Sequence, residues 1–124
     1  MIGYVTVGSN NLEETAKFYD ALFEGIGAKR LFTAATFVGW YVNEGEPMFS
    51  IVKPHDGNEA TVGNGVMIAF MVNSEEKVKS LHARAMELGA KNEGDPGMRS
   101  GGYYCAYFRD TEGNKLNFHC PPKG

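Results

Sequence analysis

Only two cysteines, Cys105 and Cys120, occur in the 124-residue chain. They are too few and too poorly placed for a disulfide scaffold. No stretch approaches the ~18 apolar residues of a membrane-spanning helix. Met1 to Val7 lacks the basic start and long apolar run of a secretory leader. The twelve Lys and Arg residues are scattered, with no run longer than two. With a net charge of -3 and a pI near 5.6, the chain has no basic stripe to neutralise phosphates, which argues against nucleic acid as a partner. The expectation is a cytoplasmic protein with reduced thiols and neither membrane nor nucleic-acid partners.

What is present is globular in character. The apolar content is 43%, close to the globular norm, and the length suits one domain with one sizeable core. Glycine is abundant, at sixteen residues, and clusters at Gly63/Gly65, Gly94/Gly97 and Gly101/Gly102, where it marks turns. A repeat dominates the pattern. Asn11, Glu13, Glu14, Lys17, Ala21, Gly27, Ala28 and Lys29 recur 62 residues later as Asn73, Glu75, Glu76, Lys79, Ala83, Gly89, Ala90 and Lys91. Two copies exclude a solenoid and imply two related modules, 1–60 and 61–124, with a ligand site in the concavity between them.

Each module reads as a strand, a helix and further strands. Ile2 to Val7 is β-rich. Asn11 and Glu14 form a capping-box pattern before a helix with Leu12, Thr15, Tyr19, Leu22 and Ile26 at helical spacing, ended by Gly27. Strands are expected at Lys29 to Thr33, Thr36 to Val42 and Met48 to Lys53, with a hairpin turn at Asn43 to Gly45. In the second copy Val66 to Val72 is a strand, and Ser74 caps a helix whose stripe is Val78, Leu81, Ala85 and Leu88. A glycine-rich loop, Asn92 to Gly102, precedes strands at Tyr103 to Arg109 and Lys115 to Cys120. Alternation puts Tyr103, Cys105 and Tyr107 on one face of their strand, and Asn117 and His119 together on one face of the last.

Two βαβββ units resemble the vicinal oxygen chelate superfamily, which includes glyoxalase I, bleomycin-resistance proteins, fosfomycin-resistance enzymes and extradiol dioxygenases. The resemblance rests on Phe18-Tyr19 in the first helix, on Phe108-Arg-Asp-Thr-Glu-Gly-Asn114, on Gly63 to Phe70, and on Gly94 to Arg99 followed by Tyr103-Tyr104. It implies an α+β fold of two tandem modules, with eight strands in a curved sheet around a cavity and helices outside. It also implies a homodimer and, in the metal enzymes, a divalent ion held by four inward side chains. Those four positions fall here on Tyr4, Met67, about Ser50, and Asn117. None offers the imidazole, thiolate or carboxylate that zinc, nickel or iron prefers, so no cofactor is expected.

The expected cavity wall is therefore apolar and aromatic with a few polar groups: Tyr4, Thr6, Met67, Ala69, Met71, Tyr103, Cys105, Tyr107, Asn117 and His119, with Ser50 and Trp40 as further candidates. Met67, Ala69 and Met71 serve equally well as plain core. His119 is the sharpest residue, a candidate general acid or base with Tyr107 and Cys105 beside it. Arg99 is placed to clamp a carboxylate or phosphate. His82 suits a packing role at the helix boundary, and His55 a loop. Two readings stay open. One is a metal-free protein binding a small organic molecule. The other is an enzyme, lactoylglutathione lyase-like or dioxygenase-like, with a relocated metal or metal-free acid–base chemistry. A filled cavity would make it an inert dimeric scaffold instead.

Overall fold

A computed structural model describes residues 1–123. The chain separates into two compact units, Met1–Val62 and Gly63 onward, each carrying one βαβββ module. The division falls two residues past the expected boundary.

In the first module β1 (Tyr4–Gly8) leads into α1 (Leu12–Phe23), and β2 (Lys29–Thr33), β3 (Phe37–Tyr41) and β4 (Met48–Val52) follow. They form a sheet of order β1-β4-β3-β2, with β1 parallel to β4 and the remaining pairs antiparallel. The side chain of Asn11 caps α1 by accepting from the Glu14 N–H at 3.3 Å. The second half of the capping box is replaced: the Asn11 N–H donates to Ser9 Oγ, and the Glu14 carboxylate pairs with Lys17. A short 3-10 turn, Glu24–Ile26, closes the helix on Gly27, whose φ of 71° suits glycine.

α1 buries Phe18, Tyr19, Leu22 and Phe23. Tyr19 lies within 6 Å, ring centre to ring centre, of Phe23, Trp40 and Phe49. Side chains that pair across a sheet share a face, so Trp40, Phe49, Val38 and Ile51 make up the helix-facing side. The far side, here the distal face, carries Tyr4, Thr6, Phe37, Gly39, Met48 and Ser50.

The second module repeats the plan with β5 (Ile68–Met71), α2 (Glu75–Glu87), β6 (Lys91–Met98), β7 (Tyr104–Arg109) and β8 (Lys115–Cys120), in the order β5-β8-β7-β6. Ser74 caps α2 through Lys77 N–H. In the repeat frame this cap falls opposite Leu12 rather than Asn11, so the second helix starts one residue later. Val78, Leu81, His82 and Ala85 are buried against Ala106, Phe108, Leu116 and Phe118.

The α+β fold of two tandem βαβββ modules is the one expected, and by hydrogen bonding its eight strands fall into two four-stranded sheets. Two expectations need correction. The glycine-rich segment taken for a loop is mostly β6, an edge strand paired with β7 through two register shifts. Its Pro96 and glycines hide it from pattern reading, yet both are tolerated on an edge strand and at bulges. The strand expected at Val66 to Val72 is shorter, because the Val66 N–H closes a turn onto Gly63 O.

Candidate functional site

Register assembles a polar group on the distal face of the second sheet. Cys105 lies opposite His119, and Tyr107 opposite Asn117, so the four side chains occupy two adjacent rows. Ala69 and Met71 extend the same rows on β5. Tyr103, just before β7, sets its ring 6.1 Å from the His119 imidazole. Strand alternation predicted this grouping.

The hydrogen bonds give the group a defined chemistry. His119 Nδ1 meets Asn117 Oδ1 at 3.2 Å. An amide oxygen only accepts, so Nδ1 carries the proton and Nε2 keeps the lone pair. Burial pushes the His119 pKa down, which holds the ring neutral near pH 7. The Tyr107 phenol is pushed up by burial first and then by its hydrogen bond with Cys105; the Arg99 charge and Asn117 oppose this without reversing it. Tyr107 is therefore a neutral O–H donor. Cys105 is 5% exposed, and its thiol pairs with the Tyr107 phenol rather than with a base.

Bare backbone lets side chains lie across β6. A Cβ at Gly94 would sit 2.9 Å from Tyr107 Cδ1 and 3.4 Å from Arg99 Nη2. The half-buried Arg99 guanidinium rests 5.4 Å from the centre of the Tyr107 ring, and Lys115 Nζ lies 5.6 Å from the same centre.

The other candidates belong to other faces and segments of their own modules. Trp40 is corrected: it pairs with Phe49 and Arg30, faces α1, is 2% exposed, and donates from Nε1 to Asp20 at 2.9 Å. It is core, because Gly39 rather than Trp40 pairs with Ser50. Tyr4 is exposed on the distal face of the first sheet and meets Phe37 edge-on at 6.2 Å. Ser50 is on that face too, fully buried, with its Oγ lacking a hydrogen-bond partner. Met67 is partly exposed just before β5. His55 is an exposed turn residue. Cys120 is on the helix-facing side with Tyr104, its thiol directed to Pro121 O.

Sequence reasoning missed the work of His82. This helix residue is buried and places Nε2 3.1 Å from both Asn92 Oδ1 and Tyr107 O. Both partners are acceptors, so Nε2 carries the proton, and His82 joins α2 to β6 and β7. Its position beside Leu81 on the buried stripe was the available signal.

The model of the glyoxalase/bleomycin resistance protein/dioxygenase superfamily matches residues 1–118, and the chain belongs to that superfamily. The crystal structure of a glyoxalase/bleomycin resistance protein from Albidiferax ferrireducens T118 is 34% identical, with a TM-score of 0.89 over 98% of this chain and 99% of that one. A family enzyme from Burkholderia phytofirmans PsJN is 18% identical, with a TM-score of 0.77 over 95% and 96% of the two chains. Lactoylglutathione lyase from Agrobacterium tumefaciens is 17% identical, with a TM-score of 0.71 over 97% and 92%. At such identities the last two share the fold alone. A search of curated proteins finds no significant match.

Metal enzymes in the superfamily raise the question of whether these residues fit a divalent ion. The assigned positions carry a phenol (Tyr4), a hydroxyl (Ser50), a thioether (Met67) and an amide (Asn117). The amide oxygen is already engaged by His119, and the Ser50 hydroxyl is fully buried. Among the described residues no three His, Cys, Asp or Glu side chains converge. Hydroxyl, thioether and amide donors hold divalent zinc, nickel or iron weakly. Donors of these types, at the positions that the resemblance assigns, do not suit such an ion.

Proposed function

We propose that the protein binds a small organic molecule without a metal, against the distal face of the second sheet. The observation that carries this reading is the ordered group Cys105, Tyr107, Asn117 and His119, two register rows that hold a neutral imidazole, an amide and a phenol. Around it Tyr103, Ala69 and Met71 supply aromatic and apolar surface, the usual make-up of a small-molecule site.

A thermal-shift panel of small molecules in EDTA tests the reading, since a ligand that prefers the folded state raises the melting temperature by mass action. Ligands are expected to raise it with chelator present. Shifts that appear only after zinc, nickel, manganese or iron is added would overturn the metal-free reading.

One observation favours a second reading, catalysis by the same residues. The Asn117 bond leaves Nε2 of a neutral His119 as a ready proton acceptor, the state a general base requires. His119→Gln keeps a polar side chain but removes the basic nitrogen. If a turnover is found, its loss in this variant with ligand binding intact would support the enzyme, and an unchanged rate would eliminate His119 as the base.

A further inference from the structure

Arg99 differs from its strand-borne counterparts. Arg30 and Arg109 are neutralised by Asp20 and Glu93, at 2.7 and 2.6 Å. Among the described residues Arg99 has no carboxylate within ion-pair distance. Its hydrogen bonds go to carbonyls, from Nη2 to Asp95 O at 2.9 Å and from Nη1 to Met98 O at 3.4 Å. Carbonyl bonds fix a guanidinium in place but leave its charge uncompensated, and they leave further N–H donors of its fork unused.

Of the nearby acids, Glu93 pairs with Arg109, and Asp95 Oδ1 accepts from Asn92 Nδ2 at 2.7 Å instead of pairing with Arg99. Lys115, against the same Tyr107 ring, adds a second positive charge. The seat is also built. A Cβ at Gly97 would stand 2.9 Å from Arg99 Nη1, so the head lies where the strand carries glycine.

A chain of hydrogen bonds holds that seat from the helix side. His82 Nε2 donates to Asn92 Oδ1 and to Tyr107 O. Asn92 Oδ1 also accepts from the Gly94 N–H at 3.0 Å. Asn92 Nδ2 then fixes Asp95, whose carbonyl receives Arg99. One buried imidazole thus braces both the backbone of Tyr107 and the strand bend that aims Arg99.

We propose that Arg99 binds a carboxylate of the small molecule, with Lys115 supplying positive field, and His82 and Asn92 as positioning residues. The ligand class is an organic carboxylate whose apolar body lies toward Tyr103 and Met71. This inference rests on the second sheet's distal face being the binding site.

Benzoate and its neutral isostere benzamide separate the two claims when each is titrated into the full chain and followed by amide and arginine Nε–H NMR signals. Benzoate is expected to bind about tenfold or more tightly than benzamide, the scale of a charge-assisted hydrogen bond. Arg99→Met should remove that preference, weakening benzoate far more than benzamide. Arg99→Lys, which keeps the charge without the fork, should retain part of it. Asn92→Ala should weaken benzoate more than benzamide. Equal binding of both probes at the His119 face would overturn the carboxylate inference and leave the binding reading standing. Failure of both probes to perturb that face would overturn the carboxylate inference, and a flat panel in EDTA would then remove the binding reading as well.

Discussion

The two modules are copies in topology and opposites in emphasis. The first spends its large residues on the helix side, where Phe18, Tyr19, Phe23, Trp40 and Phe49 form an aromatic core tied to the surface by the Asp20–Arg30–Trp40 bonds. Its distal face carries one buried polar group, Ser50, with no partner. The second module packs a leaner core of Val78, Leu81, Ala85, Phe108 and Phe118. Its distal face holds His119, Asn117, Cys105 and Tyr107 in mutual contact or register, and its edge strand, paired through two register shifts, leads directly into Arg99. One βαβββ plan thus serves two ends: burial decides the first copy, polar placement the second.

The largest effect that sharpens this contrast is expected at Trp40. Trp40→Ala empties the centre of the aromatic core and orphans a bond to Asp20. It should cost about 3–5 kcal/mol in urea unfolding. Binding at the second sheet's distal face should persist wherever the variant remains folded. Gly94→Ala probes the other module: its Cβ would press on the Tyr107 ring at 2.9 Å. The expected loss is about 1–3 kcal/mol from overpacking, accompanied by displaced Tyr107 and Arg99 side-chain signals.

Ser50→Ala should run the other way. Removing a buried hydroxyl that has no partner relieves a desolvation cost, so stability should hold or rise by up to about 1 kcal/mol. A clear loss would show that Ser50 Oγ has a bond in solution.

The smallest expected effect is a pH slope. Burial lowers the folded-state pKa of His119, so between that value and the ordinary ~6.5 the unfolded chain binds more protons than the folded one. Stability from this residue is therefore full above about 6.5 and declines as pH falls toward the folded value. An NMR titration of the His119 imidazole should give a midpoint below 6.5, and His119→Gln should flatten the stability slope across that window. A midpoint at or above the ordinary value would contradict the neutral-imidazole assignment.

Much of this was legible in the sequence because it is local. Asn11, Ser74 and Gly27 announce helix ends by their own chemistry, and alternation within β7 and β8 put His119, Asn117, Cys105 and Tyr107 on one face. What escaped depends on pairing between segments. The orientation of Trp40 is set by the β3–β4 register, in which Gly39 meets Ser50; no count within β3 reveals that. β6 is concealed because its glycines and proline mimic a loop, whereas their purpose is to admit Tyr107 and Arg99 onto the strand. The bracing by His82 joins residues 10 and 25 positions apart, a contact that only the folded sheet creates.

Metal-free binding at the second sheet is tested most directly by amide and side-chain NMR of the full chain in EDTA, titrated with a small molecule that raises its melting temperature. Saturable shifts concentrated on Tyr103, Cys105, Tyr107, Asn117 and His119 are expected with no metal added. Shifts centred elsewhere, or shifts at these residues that vanish with chelator and return with a divalent ion, would contradict it.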